Sequence, residues 1–489
     1  MRKIIIASSI LFSTIGVAQN TLLDLDFYNE KTTIAQIQNE VAKGNSISEM
    51  DKRAFDPATF AILQNSPVET IIYIIESEGN GVHKVTHDKR DYLHWASFMG
   101  NVPLVKYLID NGANIYSKDS RGATPFVFAA SNGQTNKELY ETFFKAGVNP
   151  KYRHDNGETL LLLAIPFDDE NLTLTNYFIS KGMKLKDKDK IGNTAFDYAS
   201  KKGNLPLMKN VRKKIKPTGT ALPMAAKGLR RQPNTKIGVY HYLIENEKIN
   251  PNSKDETGAN ALNYLAAKQD LEAIQFLLSK GSKADNVDNE GNTPLMNACS
   301  GKNLEIVKLL NVQNINAINK KGESALLIAV KKSSPEIVKY LIDNGANTKI
   351  IDKNGDDVIS SLIESYKLVK PNEKSGFDEK VLILDKYNIS LKSVDNNGNT
   401  ALHKAVATQN LDLVKKVLQW GIDINQLNKN KETALIKAAM SATNTDILEF
   451  LVAKGANKNS TTEFGETAYD LASENEALKQ KGFSLEFLK

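Results

Sequence analysis

Histidines, a lone cysteine and acidic turns are the groups in this 489-residue chain whose types could support acid–base, nucleophilic or metal chemistry. The histidines are His83, His87, His94, His154, His241 and His403, and only the first three cluster. A metal site or an enzyme centre built from His83, His87 and His94 would span a turn and the start of a helix with no thiolate nearby, so a metal-binding protein or enzyme using them stands as an alternative reading. The acidic pairs Asp187/Asp189 and Asp285/Asp288 have turn spacing, and neither is followed by the closing bidentate Glu of a calcium loop. Cys299, the only cysteine, forms no intrachain disulfide and reads as a buried, inert thiol after Ala298. No nucleophile, base and orienting acid share a segment, and no glycine-rich phosphate loop occurs. The chain is therefore expected to bind rather than to catalyse, without a cofactor.

What positions these polar groups is a repeat. An Asx residue, a Gly three positions on, a Thr, a Pro or Ala, a Leu and an Ala recur. The clearest copies begin Asp288-Asn289-Glu290-Gly291-Asn292-Thr293-Pro294-Leu295 and Asp395-Asn396-Asn397-Gly398-Asn399-Thr400-Ala401-Leu402. Aligned on the Thr, copies fall at Asp56, Asp91, Thr124, Thr159, Thr194, Thr220, Asn260, Thr293, Ser324, Asp357, Thr400, Thr433 and Thr467, about 34 residues apart on average. The Asx and Gly are turn chemistry, Thr124 and Thr293 suit helix N-caps, and Pro125 and Pro294 suit the first helical position. A second amphipathic pattern follows, as in Ile337, Val338, Leu341 and Ile342. It ends at Gly112, Gly147, Gly182, Gly281, Gly345, Gly421 or Gly455, where a left-handed cap belongs. Each unit thus predicts a finger and two helices.

These residues resemble the ankyrin repeat over roughly residues 50 to 480. The family's Thr-Pro-Leu-His-x-Ala signature is matched by Thr400-Ala401-Leu402-His403-Lys404-Ala405 and approximated by Asp91-Tyr92-Leu93-His94-Trp95-Ala96. Its helix end is matched by Asn111-Gly112-Ala113-Asn114 and Asn344-Gly345-Ala346-Asn347. The resemblance implies an all-α solenoid of about twelve helix-turn-helix repeats with short β-hairpin fingers, binding a protein partner through its concave finger and inner-helix surface. It also implies that the signature His ties neighbouring repeats. Because His survives only at His94 and His403, with Val127, Leu162, Asn263, Met296 and Leu327 elsewhere, stacking is expected to rely more on apolar contact.

Residues 1–18 hold Arg2 and Lys3, an apolar run to Val17 and the small site Gly16-Val17-Ala18, the layout of a cleavable signal, so a periplasmic or secreted location is expected. Residues 19–55 carry the amphipathic Ile34, Ile37 and Val41 and suit an N-terminal cap. Repeats are expected over 56–217 and 218–489, the latter closing in a C-terminal cap. The division follows the short, fingerless interval from Thr194 to Thr220. A second irregularity is the insertion Lys370–Gly376 before Thr400.

Candidate binding residues are Arg90, Trp95, Arg121, Phe128, Tyr198 and Tyr264, the aromatics standing just before the repeat Ala. The basic joint 209–236, with Arg212, Lys213, Lys214, Arg230 and Arg231, is an alternative site for a polyanion such as an anionic envelope component. The net charge of +6 is too weak to predict a nucleic-acid binder, and no later segment predicts a membrane span.

Overall fold

The aligned positions are the points at which helices start. In the computed structural model, which describes residues 20–230, 232–311, 314–366 and 376–489, all thirteen are N-cap residues of the first helix of a pair. The leader expected over 1–18, Arg231 and most of the Lys370–Gly376 insertion lie outside the described residues. Eleven of the thirteen side chains accept the backbone N–H three residues on, as Thr293 does from Met296. Thr124 and Thr220 make no such bond. Thr124 has the extended backbone of a cap (ψ 163°), but its buried Oγ1 finds no hydrogen-bond partner, contrary to the sequence expectation.

The chain forms two compact units, residues up to Thr218 and from Gly219 onward. The first holds five helix pairs and the second eight among the described residues. Within each unit, first helices pack on first helices and second helices on second, as Tyr92–Met99 packs on Pro125–Ser131 and Leu271–Ser279 on Leu304–Leu310. The buried faces are the apolar positions of the repeat, among them Leu93, Ala96, Leu326, Ala329, Ile337 and Leu341. In the N-terminal segment the helix Ile34–Ala42 buries Ile37 and Glu40, whereas Val41 is exposed, so its packed face is rotated from the one expected.

The fingers are reduced hairpins. Among the described residues they contain single antiparallel bridges, such as Ile318 with Ser324 and Val394 with Thr400, rather than strands. Their shape comes from the finger Asx, whose side chain accepts the N–H groups two and four residues on: Asp288 from Glu290 and Asn292, Asn319 from Lys321 and Glu323, Asp395 from Asn397 and Asn399. Most tips then join the preceding one through the backbone. Lys190 N donates to Asn156 O (2.8 Å), Asn289 N to Thr257 O (2.7 Å), Lys320 N to Glu290 O (2.8 Å) and Lys353 N to Lys321 O (2.8 Å).

Glycine permits that approach. A Cβ on Gly322 would stand 3.0 Å from both Asp352 Cα and Lys353 N, and φ there is +81°. Gly345, at the helix end, has φ +85° but nothing within 4 Å of its Cβ position, so its requirement is conformational alone.

Polar ties between repeats are more frequent than the two signature histidines suggested. His94 Nε2 lies 3.0 Å from Ala123 O and His403 Nε2 3.0 Å from Glu432 O, while Asn263 Nδ2 donates to Asn292 O (3.2 Å) from the same register. Asn316 clamps the next helix end twice, donating to Gly345 O (3.1 Å) and accepting Asn347 N (2.7 Å); Asn252 and Asn425 do the same for Gly281 and Gly455. Stacking is therefore apolar and hydrogen-bonded together.

Two outcomes test this account. Gly322→Ala should lower the stability of the second unit by about 3 kcal/mol in urea unfolding and Gly345→Ala by about 1 kcal/mol, since only the former adds a backbone clash; equal losses would remove the clash from the argument. His403 is held below its ordinary 6.5, chiefly by burial, and its Nδ1 accepts Thr400 N, so protonation breaks a cap bond. Its contribution is fully present above pH 6.5, the ordinary value that the unfolded chain keeps, and is lost as pH falls below that through the lower value of the folded state. His403→Asn, which copies the Asn263 arrangement, should flatten the decline in unfolding midpoint between about pH 7 and 5 while changing stability at pH 7 by less than about 1 kcal/mol.

Candidate functional site

A bent finger and the first helix behind it share one side chain. Trp95, one residue before the repeat Ala, donates from Nε1 to Thr86 Oγ1 at 2.8 Å; Tyr198 donates to Asp189 Oδ2 at 3.0 Å; Tyr264 donates to Asp255; Lys404 pairs with Asp395 at 2.9 Å. In all four the partner lies nine residues back, in the residue's own finger. This position therefore braces the finger against its helix. Burial and the bond to Asp255 push the Tyr264 phenol well above its ordinary range.

The first unit adds a cation to this brace. Arg90 donates from Nε and Nη2 to Asp119 Oδ2 (3.1 and 3.0 Å) and from Nη1 to Asp88 Oδ2 (3.1 Å). Its guanidinium lies 5.1 Å from the Trp95 ring centroid and 4.3 Å from that of Phe128. It thus ties its own finger to the next while filling the space between two rings. Arg90 and Trp95 are each 6 % exposed, so the expectation that they present themselves as contact anchors is corrected: buried ion pairing and ring packing occupy them. Tyr198 is buried as well, with Lys201 Nζ 4.0 Å from its ring centroid. Of the six candidate residues Arg121 is exposed, and Phe128 and Tyr264 are half-buried.

Around Phe128 lies a run of half-buried aromatics that sequence reasoning missed. Phe55 is 5.7 Å from Trp95, Trp95 is 5.9 Å from Phe128, and Phe98 is 5.5 Å from Phe128. Phe167 lies against Gly133 in the following repeat. Phe98 was legible, since it stands three residues after Trp95 on one helical face. Phe55 precedes its helix, and Phe167 ends the short 3-10 turn Ile165–Phe167, so neither falls in a helical register.

The alternative sites fare unequally. His94 faces Asp91 Oδ1 (2.8 Å) with one ring nitrogen and Ala123 O with the other, leaving no ring nitrogen for an ion. His87 Nδ1 bonds Arg53 O (2.8 Å) and the ring stacks on Phe55 at 4.6 Å, while His83 is exposed. Among the described residues no group of three or more His, Cys, Asp or Glu is arranged to hold an ion. In the basic joint, Arg212 ends the helix Leu205–Arg212, and Lys213 and Lys214 are exposed, Lys213 donating to Asn210 (2.8 Å). Arg230 is exposed in the second unit and Arg231 lies outside the described residues. Cys299 is fully buried, and burial pushes its thiol up to about 12.

Comparison with known proteins gives the following. Profiles described as ankyrin repeats match residues 93–141, 224–365 in three overlapping spans, and 397–472 in two. The chain is 31% identical over 188 residues to the probable 26S proteasome regulatory subunit p28 of Saccharomyces cerevisiae, a match covering 32% of this chain and 82% of that protein. It is 24% identical over 301 residues to the transient receptor potential cation channel subfamily A member 1 of Homo sapiens, covering 58% of this chain but only 26% of the channel subunit. Among solved structures, the human ASB11 ankyrin repeat domain aligns with TM-score 0.39 and 24% identity over 45% of this chain and 96% of that one.

The brace around Arg90 is testable. Arg90→Ala leaves the carboxylate of Asp119 buried and unpaired and should cost the first unit about 3 to 5 kcal/mol in denaturant unfolding, whereas the exposed Arg121→Ala should stay within about 0.5 kcal/mol of the parent. Similar small effects for both would return Arg90 to the solvent-facing surface.

Proposed function

Given that the chain belongs to the ankyrin-repeat family, we propose that it is an exported scaffold whose fingers and first helices hold a protein partner, and that it performs no catalysis. The observation that carries this reading is the half-buried aromatics Phe55, Phe98 and Phe128, with the exposed Arg121 at the tip of the finger that leads into the Phe128 helix, since aromatic rings and arginine are the usual energetic centre of a protein interface. The brace supports it further: a contact surface whose side chains are already fixed loses little entropy on binding. Repeat stacks of this kind generally use such extended surfaces for protein recognition.

Export is supported by Arg2, Lys3, the apolar run and the Gly16-Val17-Ala18 site. Among the described residues no helix is long and apolar enough to cross a membrane.

A photo-crosslinking amino acid placed at Phe128 or Arg121 of the full chain should trap one protein from an envelope fraction, and the same reagent at the exposed second-helix residue Lys137 should trap none. Equal capture from Lys137 would overturn the site. For the location, the chain recovered from cells should begin at Gln19 and be released with the periplasmic or secreted fraction; an uncleaved chain retained in the cytosol would overturn export.

A further inference from the structure

The residue immediately before each finger Asx changes character along the chain. Lys118, Lys188 and Lys254 stand there before Asp119, Asp189 and Asp255, and in the two fingers of the first unit whose turn residue is Thr86 or His154, Val85 and Arg153 take the position. Five successive fingers of the second unit then carry Val287, Ile318, Ile351, Val394 and Leu427. All five are aliphatic, and all are exposed, at 49, 56, 41, 42 and 51%. Scattered exposed aliphatics need no explanation, but one per repeat at a single register makes a row.

The row is also fixed in direction. Its neighbours Asp288, Asn319, Asp352, Asp395 and Asn428 each hold their finger by accepting two backbone N–H groups. Ile318 and Val394 sit in the antiparallel bridges themselves. Nothing among the described residues covers the row. Its surroundings are cationic: over the finger segments 283–292, 314–323, 347–357, 390–399 and 423–432, eight lysines are exposed against three carboxylates. Lys321, Lys353 and Lys429, at the tips, make no ion pair among the described residues.

We propose that this row is a docking strip for an acidic segment of a partner protein that carries an aliphatic side chain about every third residue. The geometry and charge argue for that occupant. Stacked helix pairs repeat every 8 to 10 Å or so, and one three-residue turn of a polyproline II segment rises about 9 Å and returns every third side chain to the same face, so a segment in that conformation places one aliphatic side chain on each finger and leaves two carboxylates per turn to flank it, within reach of the lysines. Cations at the rim favour acidic intervening residues and raise the association rate. The inference rests on the reading of the chain as a protein-binding scaffold and gives the chemistry of the partner's segment.

The test uses the full chain and a fluorescein-labelled peptide of about 15 residues built of Leu-Glu-Asp triplets, long enough to cross five fingers. Fluorescence anisotropy should show saturable binding of this peptide, and no binding of matched peptides built of Ser-Glu-Asp or Leu-Lys-Lys triplets. The triple variant Ile318→Ser, Ile351→Ser, Val394→Ser should raise Kd by at least about tenfold, with an unchanged circular-dichroism melt because these side chains are exposed. Equal binding of the Ser-Glu-Asp peptide, or of the Leu-Glu-Asp peptide by the triple variant, would reduce the site to charge alone and overturn the proposal. A parent dimer in sedimentation that the triple variant dissolves would make a second copy of the chain the occupant and overturn it likewise. Failure of all three peptides to bind also sinks it. Crosslinking at Phe128 reads the first unit, so that result and this one fail separately.

Discussion

The contact on which the rest of the structure depends is the backbone bond from one finger tip to the carbonyl of the tip before it. Lys353 N reaches Lys321 O at 2.8 Å only because Gly322 has no Cβ where Asp352 and Lys353 pass. The Asx side chain sets the turn, the turn presents the N–H, and the glycine lets the neighbour close on it. Once tips are fixed at that separation, the N-caps that follow them start their helices in step, and Leu326, Ala329 and their counterparts meet at packing distance. Helices of seven or eight residues are too short to be stable alone. Their stability comes from the neighbours the fingers bring to them.

The same economy explains why so much of the candidate surface in both units is not free to bind. Trp95, Tyr198, Tyr264 and Lys404 differ in chemistry, yet each reaches nine residues back to its own finger. A ring with one polar atom satisfies a buried acceptor with its edge and offers apolar area with the remainder. Phe128 has no polar atom and makes no such bond. It takes the cation of the preceding finger on its face and remains half-buried, so the contact surface passes to residues beside the brace.

What was legible in the sequence is what depends on neighbours within a few residues. All thirteen cap positions and the glycines of the helix ends were readable because a cap bonds three residues on and a left-handed turn is local. The burial of Arg90 was not, because its partner Asp119 lies 29 residues away and reads as an ordinary turn residue. Asn263 was missed for a related reason: an amide replaces imidazole by offering one acceptor to the cap and one donor to the next finger, an equivalence of hydrogen-bonding pattern rather than residue type. Tyr116 shows the same in the first unit, its hydroxyl donating to Gly147 O (3.4 Å) and accepting Asn149 N (3.4 Å), the two groups that an Asn amide takes elsewhere.

That pattern also accounts for how the first unit ends. In the register of His94, His403 and Asn263, the side chain donates to a carbonyl of the following finger. The short interval after Thr194 leaves no finger there, and the chain instead presents the N–H and hydroxyl of Thr218. A donor at this position would face a donor. Asp197 occupies it, an acceptor alone, taking Thr218 N at 2.8 Å and Thr218 Oγ1 at 3.0 Å while its second role, capping Thr194, is kept at 2.7 Å. Thr194 Oγ1 donates to it as well (2.8 Å), and the cost is burial of a carboxyl, which pushes its pKa up in spite of these four donors. Where the following segment offers donors in place of a finger carbonyl, the side chain in this register must accept, and the exchange of imidazole or amide for carboxylate meets that need.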